Sequence, residues 1–166
     1  HITLKYGKKI DDTTGNFGVL DLDGTEGGGA SDYRLWFSQG YPAGIYTNDV
    51  LLTESGNMVG PTYQGFSDRY YACTHYGAHT GGPGCTSEQY DPNCPRIIKV
   101  IVYEDLTSQT AKVAGFAAFL LEDQTETGYI TGTFLFKIDS TARGSGSAAG
   151  SSSDFGLYSL MLVEYI

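Results

Sequence analysis

The chain has 166 residues, a formal net charge of −9, and few charged side chains, at 17% of the sequence. This length suits one domain with a substantial core, and the negative charge argues against binding to nucleic acid or to anionic membranes. No apolar run approaches the roughly 20 residues that span a bilayer. The sequence starts at His1 without a signal peptide, which we interpret as a removed leader or as missing upstream residues. The 23 glycines and 13 tyrosines are typical of exported β-rich proteins.

Alternating apolar residues predict a strand at the start of the chain, with Ile2, Leu4 and Tyr6 on one face. Residues 17–22 are also strand-like and lead into an Asp-Gly turn at Asp23. The sequence therefore predicts two strands before the first helix.

Two short helices and a hairpin follow. Ser31 is a suitable N-cap and Gly40 a suitable stop for an amphipathic helix between them. Residues 45–47 and 50–53 flank an Asn-Asp pair and predict a tight hairpin. Pro61 suits the first position of a second helix, although a glycine in its interior weakens it by roughly 1 kcal/mol relative to alanine.

A pair of apolar strands forms the predicted centre of the sheet. Residues 97–103 are mostly β-branched, and residues 113–121 are apolar on both faces, with Val113 and Phe119 predicted on one face and Phe116 on the other. A polar connection joins them, which favours antiparallel pairing. We therefore expect a mainly β fold, an antiparallel sandwich or barrel-like sheet with two short helices.

The end of the chain predicts a strand on a tether. Residues 130–138 alternate as a half-buried strand, and residues 139–154 are rich in Gly, Ser and Ala, a composition typical of flexible linkers about 50 Å long when extended. We predict a globular domain at 1–138, a linker or long loop at 139–156 and a terminal strand at 157–166. That strand either pairs within its own sheet, as most terminal strands do, or completes the sheet of a neighbour.

The three cysteines lie in an irregular, glycine-rich segment, residues 72–93 and their continuation to Cys94. Together with His75 and His79, Cys73, Cys85 and Cys94 could bind zinc. The spacing lacks a CxxC pair, so we favour a disulfide between Cys85 and Cys94, with Cys73 free or paired instead. We accordingly expect no metal and no cofactor.

No catalytic residues are predicted. Asp21 and Asp23 share a turn, but the spacing does not match a calcium-binding loop, because Glu26 stands where glycine is needed. No GxSxG motif occurs near the three histidines, and no carboxylate pair is marked as an acid and a base. We therefore expect that the protein is not an enzyme.

Four stretches in order, GNFGVLDLDG, GNMVGPTYQGFSDR, CPRIIKVIVYE and VAGFAAFLLE, resemble the C-terminal region of the TadE/TadG-like Flp pilus-assembly family. The resemblance covers about residues 2–136. Ser55 and Tyr103 stand where that family often has proline, and the Ser-rich tail is not part of its pattern. The resemblance implies a secreted bacterial protein at the cell surface, associated with a pilus and without known catalysis.

We expect a structural subunit of an extracellular filament or pilus, assembled by strand complementation between copies of the chain. Other pilus proteins are further expected partners, and residues 140–153 offer acceptors for O-linked glycans. The alternative is a monomeric surface adhesin or glycan-binding module, favoured by the many tyrosines. Subunit contacts are predicted at the two terminal strands, through Ile2, Leu4, Tyr6, Leu160, Leu162 and Ile166.

Overall fold

A computed structural model describes residues 2–5, 19–24, 29–54, 58–104, 107, 109–124, 130–138 and 157–164. These described residues form two helices and seven strands. In order they are β1 (Ile2–Lys5), β2 (Leu20–Asp21), α1 (Gly29–Gln39), β3 (Val50–Thr53), α2 (Val59–Tyr70), β4 (Ile97–Glu104), β5 (Thr110–Gln124), β6 (Ile130–Ile138) and β7 (Leu157–Glu164).

All seven strands belong to one sheet that is organised on β5. β6 and β3 pair with β5, and β1 and β2 lie beyond them, which gives the order β1-β6-β5-β3-β2. β4 pairs with the opposite edge of β5, and β7 pairs with the outer edge of β4. Every pairing is antiparallel except that of β7 with β4, which is parallel. The predicted mainly β, antiparallel fold with two short helices is confirmed, and the sheet is not closed into a barrel.

The predicted central pair is confirmed, with Ile97 opposite Leu120 and Val100 opposite Ala117. Because side chains alternate across a strand, the two faces of this pair have different partners. The face carrying Ile98, Val100 and Phe119 packs against the helices, through Tyr33 and Phe37 of α1 and Phe66 of α2. The opposite face, with Ile97, Ala118 and Leu120, packs against all three cysteines.

Both helices begin earlier than predicted, α1 at Gly29 and α2 at Val59. Ser31 is therefore inside the first turn of α1 and is not its N-cap, which corrects the prediction. Pro61 also lies in the first turn of α2, where no backbone N–H is needed for the helix. The end of α1 is confirmed, because Gly40 has a φ of 90° and donates its N–H to the Trp36 carbonyl at 2.8 Å.

Gly65 explains how the two helices approach each other. A Cβ at this position would lie 2.5 Å from the Phe37 ring, closer than any real contact, so only glycine fits. The residue that weakened the helix prediction is thus required by the packing of α1 on α2.

The predicted hairpin at Asn48 and Asp49 is wrong in its strand partner. The turn is present, since Asp49 donates its N–H to the Tyr46 carbonyl and accepts the Tyr46 N–H on its side chain. Residues 45–47 form no strand, however, and β3 pairs instead with β2 and with the start of β5. β3 pairs with β5 because this long strand offers more main-chain hydrogen-bonding groups than residues 45–47 do.

A β-bulge changes the faces of β5. Val102 lies opposite Gly115 but Tyr103 lies opposite Val113, so one residue of β5 is unmatched. Val113 consequently belongs to the apolar cluster of Phe116 and Trp36, and not to that of Phe119 as the alternation alone predicted.

The terminal strands contain some of the residues predicted at subunit contacts. Ile2 and Leu4 lie in β1, which pairs with β6, and Leu160 and Leu162 lie in β7. Tyr6, Ile166 and the predicted linker at 139–156 lie outside the described residues. Within the part of the chain that the structure describes, no helix is long and apolar enough to cross a membrane.

Candidate metal centre

The segment between α2 and β4 folds back on itself several times. Tyr76 and His79 adopt positive φ values of 52° and 64°, and Gly77 adopts 74°. The Gly77 carbonyl accepts the N–H groups of Thr80 at 3.0 Å and Gly82 at 2.9 Å. These turns bring residues that are distant in sequence to one place against the sheet.

Three cysteines and one histidine converge there. The sulfur of Cys73 lies 3.4 Å from that of Cys94 and 3.9 Å from that of Cys85. His75 directs Nδ1 at the same point, 3.8 Å from the Cys73 sulfur and 3.7 Å from the Cys85 sulfur. All four potential ligand atoms lie within 4.8 Å of one another.

The protein surrounds these sulfur atoms with apolar side chains and backbone donors. The cysteines are almost fully buried, at 0–2% exposure, beside Ile97, Ala118 and Leu120. Burial raises the pKa of the Cys73 thiol, but hydrogen bonds from the backbone N–H groups of His75 and Cys85 and from neighbouring side chains lower it to about 7. The Cys73 thiol is therefore deprotonated more easily than an ordinary cysteine.

The pKa of the Cys94 thiol is shifted in the opposite direction. Burial raises the pKa of its thiol, and the nearby sulfurs of Cys73 and Cys85 raise it further, while the backbone N–H of Arg96 lowers it in part. Three sulfurs this close cannot all be anionic without a compensating positive charge. A bound cation would supply that charge and would deprotonate the thiols that coordinate it.

His75 has a second partner on its outer side. Its Nε2 lies 3.9 Å from a carboxylate oxygen of Asp91, and both side chains are about two-thirds buried. Asp91 also shapes the turn before Cys94, because its side chain accepts the Asn93 N–H at 2.7 Å and its carbonyl accepts the Cys94 N–H at 2.9 Å. One residue thus faces the histidine and positions a cysteine.

His79, the other histidine in the segment, is not part of the cluster. It is exposed, its Nε2 lies 3.2 Å from the Tyr70 carbonyl, and its ring packs on Tyr70 and Tyr71. Of the five residues considered for zinc from the sequence, the structure therefore assembles four.

Two buried arginines attach this segment to the rest of the fold. Arg96 donates from Nε to the Leu121 carbonyl at 2.8 Å and from Nη1 to the Cys85 carbonyl at 3.0 Å, and its guanidinium lies 4.8 Å from the centre of the Tyr70 ring. Arg69 of α2 donates to the Phe37 and Pro95 carbonyls. The cysteine cluster is consequently fixed to both β5 and α2.

The predicted disulfide is not formed in this structure, where Cys73, Cys85 and Cys94 are free thiols. An S–S bond is about 2.05 Å long, shorter than the 3.4 and 3.9 Å separations of the Cys73 sulfur from its neighbours. A disulfide stays a prediction for the oxidised chain. The irregular spacing and the expected export of the chain favoured it, and neither reveals the positive φ values on which the convergence of the cysteines depends.

Asp21, the last residue of β2, and Asp23 lie at the turn that follows this strand. The Asp21 side chain accepts the N–H groups of Asp23 at 3.3 Å and Gly24 at 2.9 Å. Burial and the charges of Asp21 and Asp23 raise the pKa of the nearby Glu54. The carboxylates therefore repel one another mildly, and the turn is explained by its own hydrogen bonds.

Comparisons with known proteins identify no relative: no family model, no curated protein and no solved structure matches the chain.

Proposed function

We propose that the protein is a structural subunit of an extracellular filament or pilus, assembled by β-strand complementation between copies of the chain. The position of β7 carries this proposal. It occupies the outer edge of β4, with Ile101 opposite Leu162 and Tyr103 opposite Glu164. Added strands bind through such main-chain hydrogen bonds, with alternating side chains setting the register.

The parallel direction of β7 requires a long connection, and such a connection is compatible with exchange between copies. Parallel strands need a crossover connection of a dozen or more residues, whereas antiparallel neighbours can be joined by a tight turn. The sequence between β6 and β7, residues 139–156, is long and rich in Gly and Ser. In the structure β7 pairs with the β4 of its own chain, and a tether of this length would also let β7 pair with the β4 of another copy.

The buried cysteines favour a structural role over a catalytic one. Their sulfur atoms are enclosed by the sheet and are not presented at an exposed surface. A nucleophile must be accessible to its substrate, so these thiols are poorly placed for catalysis. We propose that the protein is not an enzyme.

Shortening the tether tests strand complementation. β7 is separated from β6 by β5 and β4 on one side and lies near β1, the other neighbour of β6, on the other side. The shorter route is two strand spacings, about 10 Å at 4.8 Å each. Deleting residues 140–156 leaves a connection of about 7 Å, which cannot reach the chain's own β4. If complementation operates, the deleted chain forms oligomers or filaments in light scattering and electron microscopy, because β7 pairs with a neighbour.

The matched control removes residues 140–166, and with them both tether and strand. This variant should not assemble through β7, although it should bind an added peptide of residues 157–166. A tether-deleted chain that stays monomeric at every concentration contradicts the proposal.

A glycan-binding module is the second candidate, and exposed tyrosines favour it. Tyr63 and Tyr71 are 53% and 66% exposed, and aromatic faces are suitable platforms for the apolar side of sugar rings. Monomeric wild-type protein that binds carbohydrates, with binding lost in Tyr71→Ala, supports this candidate over the filament subunit.

A further inference from the structure

We propose that Cys73, His75, Cys85 and Cys94 bind one Zn²⁺ ion as a closed structural site. Zinc takes four ligands in a tetrahedron, with Zn–S bonds of about 2.3 Å and Zn–N bonds of about 2.0–2.1 Å. Such a tetrahedron separates two sulfurs by about 3.8 Å, and a sulfur from a nitrogen by about 3.6 Å. Four of the six separations between these ligand atoms are 3.4, 3.9, 3.8 and 3.7 Å, and all six lie within 4.8 Å.

The donor set fits zinc in its chemistry as well as its size. Three sulfurs and one imidazole nitrogen are a common ligand set of structural zinc sites, and hard cations such as Ca²⁺ and Mg²⁺ prefer oxygen. The backbone N–H groups of His75 and Arg96 donate to the sulfurs of Cys73 and Cys94, each two residues earlier. These donors spread the negative charge of metal-bound thiolates.

Asp91 fits the role of an outer partner for the histidine. A zinc-binding histidine commonly donates its other ring N–H to a carboxylate, which fixes the tautomer and the ring orientation. Here Nδ1 faces the sulfurs while Nε2 faces Asp91 at 3.9 Å. This separation is longer than a hydrogen bond, but the negative carboxylate favours the tautomer that carries the proton on Nε2 and leaves Nδ1 free to bind metal.

A metal ion would connect parts of this segment that are distant in sequence. Cys73 comes three residues after α2, Cys94 comes three residues before β4, and Cys85 lies in the loop between them. Four protein ligands complete the tetrahedron and leave no position for a substrate, as in structural and not catalytic zinc sites. The ion would therefore fasten the loop to both the helix and the sheet.

Metal content and spectroscopy of the purified chain test this inference. Native mass spectrometry and elemental analysis should find one zinc per wild-type chain. Replacement with Co²⁺ should give the visible bands of tetrahedral cobalt and the charge-transfer absorption of cobalt–thiolate bonds. His75→Ala and Cys85→Ser should lose the metal, whereas His75→Cys, which keeps four ligands, should retain it.

Two further variants separate ligands from neighbours. His79→Asn changes the other histidine of the segment at a position where asparagine tolerates the positive φ, and it should retain one zinc. Asp91→Asn keeps an oxygen to accept the Asn93 N–H but lacks the charge facing His75. It should bind zinc about 10–100-fold more weakly, the usual effect of losing an outer partner.

Several outcomes would overturn the inference. A metal-free wild-type chain after refolding with excess zinc would do so, as would a chain two hydrogens lighter with a disulfide among these cysteines. Iron in place of zinc would overturn the identity of the ion. If His75→Ala or Cys85→Ser does not fold, the wild-type cobalt spectrum decides, because absence of thiolate bands excludes the site.

Discussion

The two faces of the central strand pair are covered in different ways. On one face, large apolar side chains of α1 and α2 pack against Phe119 and its neighbours. On the other, the segment from Cys73 to Cys94 contributes its three cysteines, with Ala78 and Tyr90 at the margin. The helix layer is held by hydrophobic burial, whereas the cysteine segment depends on polar ties and on the proposed zinc ion. The same strands thus support a helix layer that is stable through hydrophobic packing and a cysteine segment that we propose is cross-linked by zinc.

The largest expected effect comes from weakening the helix layer. Phe119→Ala removes a buried ring that touches Phe134 edge to face, and such truncations cost about 3–5 kcal/mol. Urea denaturation followed by circular dichroism should show this loss in the free energy of unfolding. Phe136→Ala, at a ring 41% exposed, is the control and should cost less than about 1.5 kcal/mol. Equal losses in the two variants would mean that the helix layer is not the main source of stability.

Removing zinc with a chelator should affect the cysteine layer alone. Without the ion, the amides of residues 73–96 should exchange with solvent at least about 100-fold faster, because local opening no longer breaks metal bonds. Amides of β5 should keep most of their protection. Hydrogen exchange with mass spectrometry measures both regions in one experiment.

His75→Ala supplies the control for that measurement. Since it should already lack the ion, the chelator should leave its exchange pattern unchanged. Equal loss of protection in β5 and in residues 73–96 of the wild type would contradict the separation of the two layers.

Arg96 tests the connection between the cysteine segment and β5. Arg96→Met keeps much of the side-chain volume over Tyr70 but removes the bonds to the Leu121 and Cys85 carbonyls. Loss of these charge-assisted bonds should lower the free energy of unfolding by about 2 kcal/mol, measured by thermal or urea denaturation.

An exposed arginine provides the comparison. Arg34 forms a surface ion pair with Asp68 at 3.5 Å, and both side chains are nearly half exposed. Arg34→Met should change stability by less than about 0.5 kcal/mol. A similarly small loss in Arg96→Met would contradict the role of the Arg96 hydrogen bonds in holding the segment.

Sequence patterns predicted the regular part of the fold well. Alternation located β1, β4 and β6 and the antiparallel pairing of β4 with β5, because a strand's period of two is a local property. The partner of β3 and the face of Val113 were mispredicted, since both depend on the length of β5 and on a bulge within it. These are tertiary features that short windows of sequence do not contain.

The candidate site was harder to predict than the fold. The types of ligand residue were visible in the sequence. Which histidine joins the cluster, and how closely Cys73 approaches Cys94, depend instead on turns with positive φ at non-glycine residues such as Tyr76. The one local sequence signal for the site was a cysteine followed two residues later by a histidine. The position of Asp91 beside His75 could not be predicted from the sequence.

The central position of β5 predicts the order in which parts of the fold unfold. Its residues enter all three apolar clusters, through Phe119, Val113 and Leu120. We expect the cysteine segment to detach while β5 stays in the sheet, whereas loss of β5 would remove the surface on which that segment packs. Damage to the helix side should therefore weaken zinc retention on the far side, whereas loss of zinc should barely disturb the helices.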